Sequence, residues 1–256
     1  MIHPTAIVDP GAVIADDVEI GPYSIIGTGV EIGPGCRIKP HVVIMGPTKI
    51  GRGNTIFQFA SIGEDPQDKK YKPGRSELVI GDNNLIREYT TINRGTEQGG
   101  GVTTVGNDNW IMAYSHIAHD CIVGNGTIFA NGATLAGHVE IKDHVIMGAY
   151  ALAHQFCTVG EYSFISRATA VTKDVPPYLM VSGYWAEPRG INLEGLRRHG
   201  FSSAQIRNIK NGYRLLYKSK LSLSEAKEEI AKLAAEHEEL RLFSDFLGKL
   251  NRSIIR

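Results

Sequence analysis

An aliphatic residue returns at every sixth position over most of this chain. From Ile2, steps of six reach Val8, Ile14, Ile20, Ile26, Ile32, Ile38, Ile44, Ile50, Ile56 and Ile62. The phase resumes at Ile80, Ile86 and Ile92. It runs again through Val105, Ile111, Ile117, Val123, Phe129, Leu135, Ile141, Met147, Ala153, Val159, Ile165 and Val171. Of these 26 positions, 23 are Ile, Val or Leu. No α-helix has a period of six, whereas a strand with period two keeps all such positions on one face. The residue two before each anchor is usually small or β-branched (Ala6, Ala12, Val18, Ser24, Val30, Cys36), and Gly often follows it, as at Gly21, Gly27 and Gly33. A short strand and a turn every six residues make a polygonal coil, and stacked coils bury a continuous aliphatic column.

The pattern therefore predicts a parallel β-helix of hexapeptide repeats. Its resemblance to the hexapeptide family implies the left-handed, triangular form with three hexads per coil; the general crossover rule would favour the opposite hand. Cys36, Cys121 and Cys157 all sit two residues before an anchor, so all three thiols should point inward as small hydrophobes.

Composition changes near residue 186. Residues 1–186 carry 13 basic and 18 acidic residues, while residues 187–256 carry 14 and 9. Of the 29 glycines, 24 lie in the first part, and no proline follows Pro188. The division is a β-helix over 1–186 and a C-terminal α-helical domain over 187–256. Ser202-x-x-Gln205 and Ser222-x-x-Glu225 read as capping boxes opening two helices, and Leu240, Phe243, Phe246, Leu247 and Leu250 mark a third. Such a domain caps the open end of a solenoid, and its positive balance suits an acidic partner.

Two insertions interrupt the repeat. Residues 63–79 keep the phase and are polar, with Asp68, Lys69 and Lys70 together; this loop is expected to be functional. Residues 94–104 shift the phase by one and contain Gly99-Gly100-Gly101; this loop reads as a flexible excursion.

Global properties narrow the class. No apolar run approaches the roughly 20 residues of a membrane helix, and Met1-Ile2-His3-Pro4 has no signal-peptide character. The formal charge of zero argues against nucleic acid, and three unpaired cysteines argue against a disulfide scaffold. A cytoplasmic protein with no transmembrane segment is expected. The candidate chemistry lies in histidines. His116 and His119-Asp120 form the densest group, His138 stacks one coil above Asp120, and His144 and His154 follow within two coils. A zinc site of His116, His119 and His138 is one reading, as in hexapeptide carbonic anhydrases; an acid–base site needs only one of them.

The ordered set His116-Ile-Ala-His-Asp-Cys121, Ala136-Gly-His138, His154-Gln-Phe-Cys157, Asp174-Val-Pro-Pro-Tyr178 and Asn192-Leu-Glu-Gly-Leu-Arg-Arg198 resembles the UDP-N-acetylglucosamine 3-O-acyltransferases, over essentially the whole chain. The resemblance implies transfer of a 3-hydroxyacyl chain from acyl carrier protein to the 3-hydroxyl of UDP-N-acetylglucosamine, the first step of lipid A biosynthesis in Gram-negative bacteria. It also implies a homotrimer with sites between subunits, no cofactor beyond the acyl carrier protein thioester, and no metal. His119 matches the general base, Asp120 the group that orients it, and Gly137 the oxyanion donor. Asp68, Lys70, His116, His138, His154 and Gln155 match substrate contacts, and Asn192, Glu194 and Arg198 match the nucleotide end. Departures from the family pattern are His199 in place of a second Arg, Tyr184-Trp185 in place of a polar pair, and Asn93 in place of a His. Arg167 stands where a small residue often bounds the acyl groove, which implies a shorter accepted chain or an altered groove end. Alternatives are an amino-sugar N-acyltransferase, a coenzyme A-dependent acetyltransferase and a zinc carbonic anhydrase-like protein. The first normally has an extra N-terminal domain, for which a repeat beginning at Ile2 leaves no room.

Overall fold

A computed structural model describes residues 1–250 and 252–256. Three sheets of nine, eight and ten strands, parallel except for the last strand of the third, form the faces of a triangular prism, wound as a left-handed parallel β-helix. The first face begins at Ile7–Val8, the second at Val13–Ile14 and the third at Glu19–Ile20. Most strands are two residues long, just enough for one inward anchor and one outward neighbour. His116 lies over Thr134 and Thr134 over Leu152, the 18-residue coil that the family resemblance implies. All anchors from Ile20 to Val171 are buried. Ile2, Val8 and Ile14, in the first coil, are less so. Each buried aliphatic contributes about 1.5–3 kcal/mol, so the column is the main stabilising element of the prism.

The three cysteines point inward as expected. All are fully buried, and burial pushes the Cys121 thiol up to about 12 and the Cys157 thiol to about 11. Neither supplies a thiolate at neutral pH. Inside the turn between the second and third faces, Asn54, Asn84, Asn109 and Thr127 form a buried polar column. Asn54 Nδ2 donates to the Gly51 and Gly81 carbonyls, and Asn84 donates to Asn54 Oδ1. These side chains satisfy backbone groups that the tight turn would otherwise leave unpaired.

Most prism corners use one residue with positive φ per coil, and among the described residues fifteen of the positive-φ positions are not glycine. The left-handed conformation costs such residues roughly 1–2 kcal/mol each, and most of their side chains have stacking or hydrogen-bond partners that offset it. The corner between the third and first faces, the aromatic corner, carries Tyr23, His41, Phe59, Tyr89 and Tyr114, whose rings stack at 4.9–5.3 Å. Tyr150 and Ala168 continue this column beyond Gly132. The corner between the first and second faces, the histidine corner, carries Asp120, His138 and Phe156. The third, the docking corner, carries Asn83, Asp108, His144, Tyr162 and Tyr178.

Both insertions are shorter than the sequence suggests, because strands Ser61–Glu64, Glu77–Ile80 and Val102–Val105 extend into them. The last solenoid strand, Leu179–Ser182, pairs antiparallel with Glu187–Ile191, so residue 186 lies in the turn of a hairpin that joins the two parts. Four helices follow: α1 Leu193–Arg198, α2 Ser203–Tyr217, α3 Leu223–Glu236 and α4 Arg241–Gly248. Both capping boxes form, at Ser202 with Gln205 and at Ser222 with Glu225. Helices and solenoid are tied together at several points. Tyr178 donates to the Glu239 carbonyl at 2.7 Å and meets Phe243 edge-on, and Ile254 bridges to Asp174. No helix among the described residues is long and apolar enough to cross a membrane.

Candidate active site

Asp120 is the best-held group of the histidine corner. Its side chain is fully buried, and its oxygens accept from the Thr96 backbone N–H at 2.8 Å and the Thr96 hydroxyl at 2.7 Å. Its own N–H donates to the Thr103 hydroxyl. His119 Nδ1 lies 2.7 Å from Asp120 Oδ2. A carboxylate at that distance takes the Nδ1 proton as a hydrogen bond and leaves Nε2 with its lone pair. The His119 ring lies against the backbone of Gly137. A methyl group there would come within 2.6 Å of Cε1 and 2.8 Å of Nε2, so only glycine fits beneath the imidazole. The Cε1–Nε2 edge of the ring therefore lies against the Gly137 backbone where any other residue would place a side chain.

His138 completes the cluster. Its Nε2 is 3.7 Å from Asp120 Oδ2, its ring meets His119 edge-on at 5.2 Å, and its other side stacks on Phe156 at 4.5 Å. Burial lowers its pKa and His119 lowers it further, while Asp120 and Asp68 oppose the shift. His116, on the first face, is tied to Thr91 Oγ1 at 2.7 Å, and its pKa is lowered by burial and by His119. The trio His116, His119 and His138 does not converge as metal ligands. The ligand atoms that lie within 4.8 Å of one another belong to His119, Asp120 and His138.

Comparison with known proteins now places the chain. A model described as UDP-N-acetylglucosamine O-acyltransferase, domain 2, matches residues 174–255, and a bacterial transferase hexapeptide model matches 1–34 and 103–137. An acyl-(acyl-carrier-protein)–UDP-N-acetylglucosamine O-acyltransferase of Thiobacillus denitrificans is 52% identical over 255 residues, covering 100% of this chain and 99% of the relative. One from Halorhodospira halophila is 51% identical with the same coverage. The UDP-N-acetylglucosamine acyltransferase structure from Francisella novicida superposes with a TM-score of 0.98 at 48% identity, covering 100% of this chain and 94% of that one. The chain belongs to the acyl-(acyl-carrier-protein)–UDP-N-acetylglucosamine O-acyltransferases.

The residues that match this acyltransferase family do not all meet within one chain. His119, Asp120, Gly137 and His138 converge, and Asp68 is close enough for its charge to act on His138. Asp68 also accepts from the Lys70 N–H, while the Lys70 side chain is exposed. His154 and Gln155 are exposed one coil further along, and the Gln155 carbonyl accepts from Arg252. Asn192, Glu194 and Arg198 lie elsewhere, at the docking corner. Asn192 caps α1 through Gly195 and donates to the Tyr162 carbonyl, and Glu194 pairs with Arg198 at 3.1 Å. His199 packs on His144 and Tyr162 there, and burial lowers its pKa. Arg167 is exposed at the aromatic corner, next to Ala168.

Thr96, Gly99 and Thr103 were not singled out from the sequence. All three belong to the 94–104 loop, which is therefore not a mere flexible excursion. A short 3-10 turn, Glu97–Gly99, capped by Thr96, presses against Asp120. A methyl group on Gly99 would lie 2.2–2.4 Å from the Asp120 carboxyl atoms. Gly99 thus marks a close approach to the carboxylate, and its place in a glycine run was the signal available.

Proposed function

We propose that the chain transfers a 3-hydroxyacyl group from acyl carrier protein to the 3-hydroxyl of UDP-N-acetylglucosamine in the cytoplasm, as the first step of lipid A biosynthesis, with His119 as general base. The observation that carries this reading is the buried Thr96–Asp120–His119 relay, which leaves Nε2 as a proton acceptor beside the Gly137 backbone. A sugar hydroxyl is too weakly acidic to attack a thioester unaided at neutral pH. His119 takes its proton as the oxygen attacks, and the carboxylate stabilises the imidazolium that forms. The Gly137 N–H is the donor to the tetrahedral oxyanion in this reading, supported by the closeness of the Gly137 backbone to the His119 ring. The thiol of the carrier leaves, taking the proton from the imidazolium. No covalent enzyme intermediate is needed, consistent with three inert cysteines.

The working unit in this proposal is a homotrimer with sites between copies. The matching residues sit on three different corners of one prism, so no single chain can close a pocket around both the base and the nucleotide end. A second copy laid against the first brings another corner to His119. The exposed rings of Tyr23, Phe59, Tyr89, Tyr114 and Tyr150, with Trp110 beside them, supply apolar surface for such packing. Arg167, on that same corner, bounds the acyl groove and shortens the accepted chain; Arg167→Gly should shift preference to longer chains, and an unchanged preference removes that role.

The test is an acyl-transfer assay with UDP-N-acetylglucosamine and a series of 3-hydroxyacyl carrier proteins. His119→Ala should lower turnover by at least about 10²–10⁴-fold. Equal turnover in both proteins would take the base role from His119, and no product from folded wild type with any donor would sink the reading as a whole.

A further inference from the structure

We propose that the relay doubles as an inhibitory site for a borderline divalent cation such as Zn²⁺, held by His119 Nδ1, Asp120 Oδ2 and His138 Nε2. One ligand atom from each of the three residues already lies within 4.8 Å of the others. A tetrahedral site with ligand bonds of about 2.0–2.2 Å requires ligand atoms roughly 3.3 Å apart. His119 Nδ1 stands at 2.7 Å from Asp120 Oδ2 and His138 Nε2 at 3.7 Å, so small movements in opposite senses bring both to that spacing. The supporting groups are in place. The Thr96 hydroxyl and N–H hold the carboxylate, Gly137 backs one imidazole and Phe156 backs the other. A water or a substrate oxygen fills the fourth position.

Inhibition follows from the tautomer, and this part rests on His119 being the base. Neutral His119 carries its proton on Nδ1. A cation bound at Nδ1 needs the lone pair there, so that proton moves through solvent to Nε2. The imidazole keeps one proton in all, but Nε2 has become a donor and no longer accepts from a sugar hydroxyl. The cation is thus not a cofactor here; it removes the base.

Untagged protein is titrated with Co²⁺ and its visible absorption followed, in parallel with turnover in the presence of Zn²⁺ with and without chelator. Intense tetrahedral bands saturating at one cobalt per chain are expected, displaced by Zn²⁺. His138→Asn keeps a residue that tolerates positive φ and removes one ligand; it should weaken cobalt binding by on the order of a hundredfold. Thr96→Val, which keeps all three ligands, should weaken it about tenfold or more. Zn²⁺ should suppress turnover and chelator should restore it. Absence of cobalt bands in folded, active enzyme overturns the site, as do bands unchanged in both variants. Cobalt binding in a protein that transfers no acyl group leaves the site standing and removes the acyltransferase reading instead.

Discussion

The histidine corner and the aromatic corner are built from the same backbone. Each uses positive-φ residues at its turns, and each has bulky side chains at several of them. At the aromatic corner the rings of Tyr23, His41, Phe59, Tyr89 and Tyr114 partner only one another across coils. At the histidine corner, the 94–104 loop folds over the column and inserts Thr96 against Asp120. The repeat supplies equivalent slots, and an excursion that breaks the repeat buries the side chain in one of them and fixes its direction. The difference lies in whether a second chain segment desolvates and orients the side chain.

The largest effect should come from the carboxylate. Asp120→Asn preserves shape but offers an amide with one acceptor oxygen to donors that now engage two. Thr96 and His119 cannot all be satisfied, and His119 is free to adopt the wrong tautomer. Turnover should fall by about 10³–10⁴-fold, with a cooperative melt retained. Turnover within a factor of ten of wild type would mean that the corner geometry alone orients His119.

Two neighbouring glycines separate loop contact from loop flexibility. Gly99→Ala drives a methyl group into the Asp120 carboxylate, whereas at Gly100, with φ of +105°, an added methyl meets nothing within 4 Å. Gly99→Ala should lower kcat roughly 10–100-fold by displacing the carboxylate and leaving a buried acceptor badly paired. Gly100→Ala should cost about 1 kcal/mol of local backbone strain and leave kcat near wild type. Equal kinetic losses in the two variants would restore the view of this loop as a flexible excursion.

These residues also show where the sequence was legible. Period six marked the inward positions and the inward thiols, the family resemblance supplied the 18-residue coil, and the two together placed His138 above Asp120. The direction of the Asp120 side chain was not readable, because its partner Thr96 is 24 positions away, in the segment that loses phase. Periodicity carries information only between residues that obey it. The same limit applies to Asn192. Its motif was visible, but its side chain is used to cap α1 and hold Tyr162, a local role that spacing alone cannot reveal. The hairpin through residue 186 was missed for another reason: composition changes there while pairing continues across it.

The aromatic corner has its own test, with a smaller effect. Tyr89 stacks on Phe59 at 5.1 Å and on Tyr114 at 4.9 Å. Stacked pairs contribute about 0.5–1.5 kcal/mol each, so Tyr89→Ala should lose about 1–3 kcal/mol in urea unfolding at fixed protein concentration. Tyr89→Gly loses the same rings but relieves the left-handed strain, so it should be about 1 kcal/mol more stable than the alanine variant. Alanine as stable as wild type would show that the stacking contributes nothing and that the rings serve only contact between copies.

The smallest expected effect is a pH dependence that belongs to the histidine side of the comparison. Burial, aided by the neighbouring His119, holds the His116 pKa below its ordinary value. The sign follows from linkage. Above about pH 6.5, where the unfolded chain's histidines are neutral, neither state binds the proton and the full stability is present. As pH falls from there toward the folded value, the unfolded chain takes up a proton that folded His116 resists, and stability is lost. Below the folded value the loss is complete, because both states are then protonated. Urea unfolding at pH 7.5 and 5.5 should therefore show a smaller drop for His116→Gln than for wild type. Part of the drop should persist in that variant, since the pKa values of His138 and His199 are also lowered by burial. The aromatic corner offers an internal control, because Tyr89→Ala removes stacked surface and no titrating imidazole, so its loss should be the same at both pH values. Parallel pH dependence in wild type and His116→Gln would mean that His116 takes up its proton as readily in the folded chain as in the unfolded one.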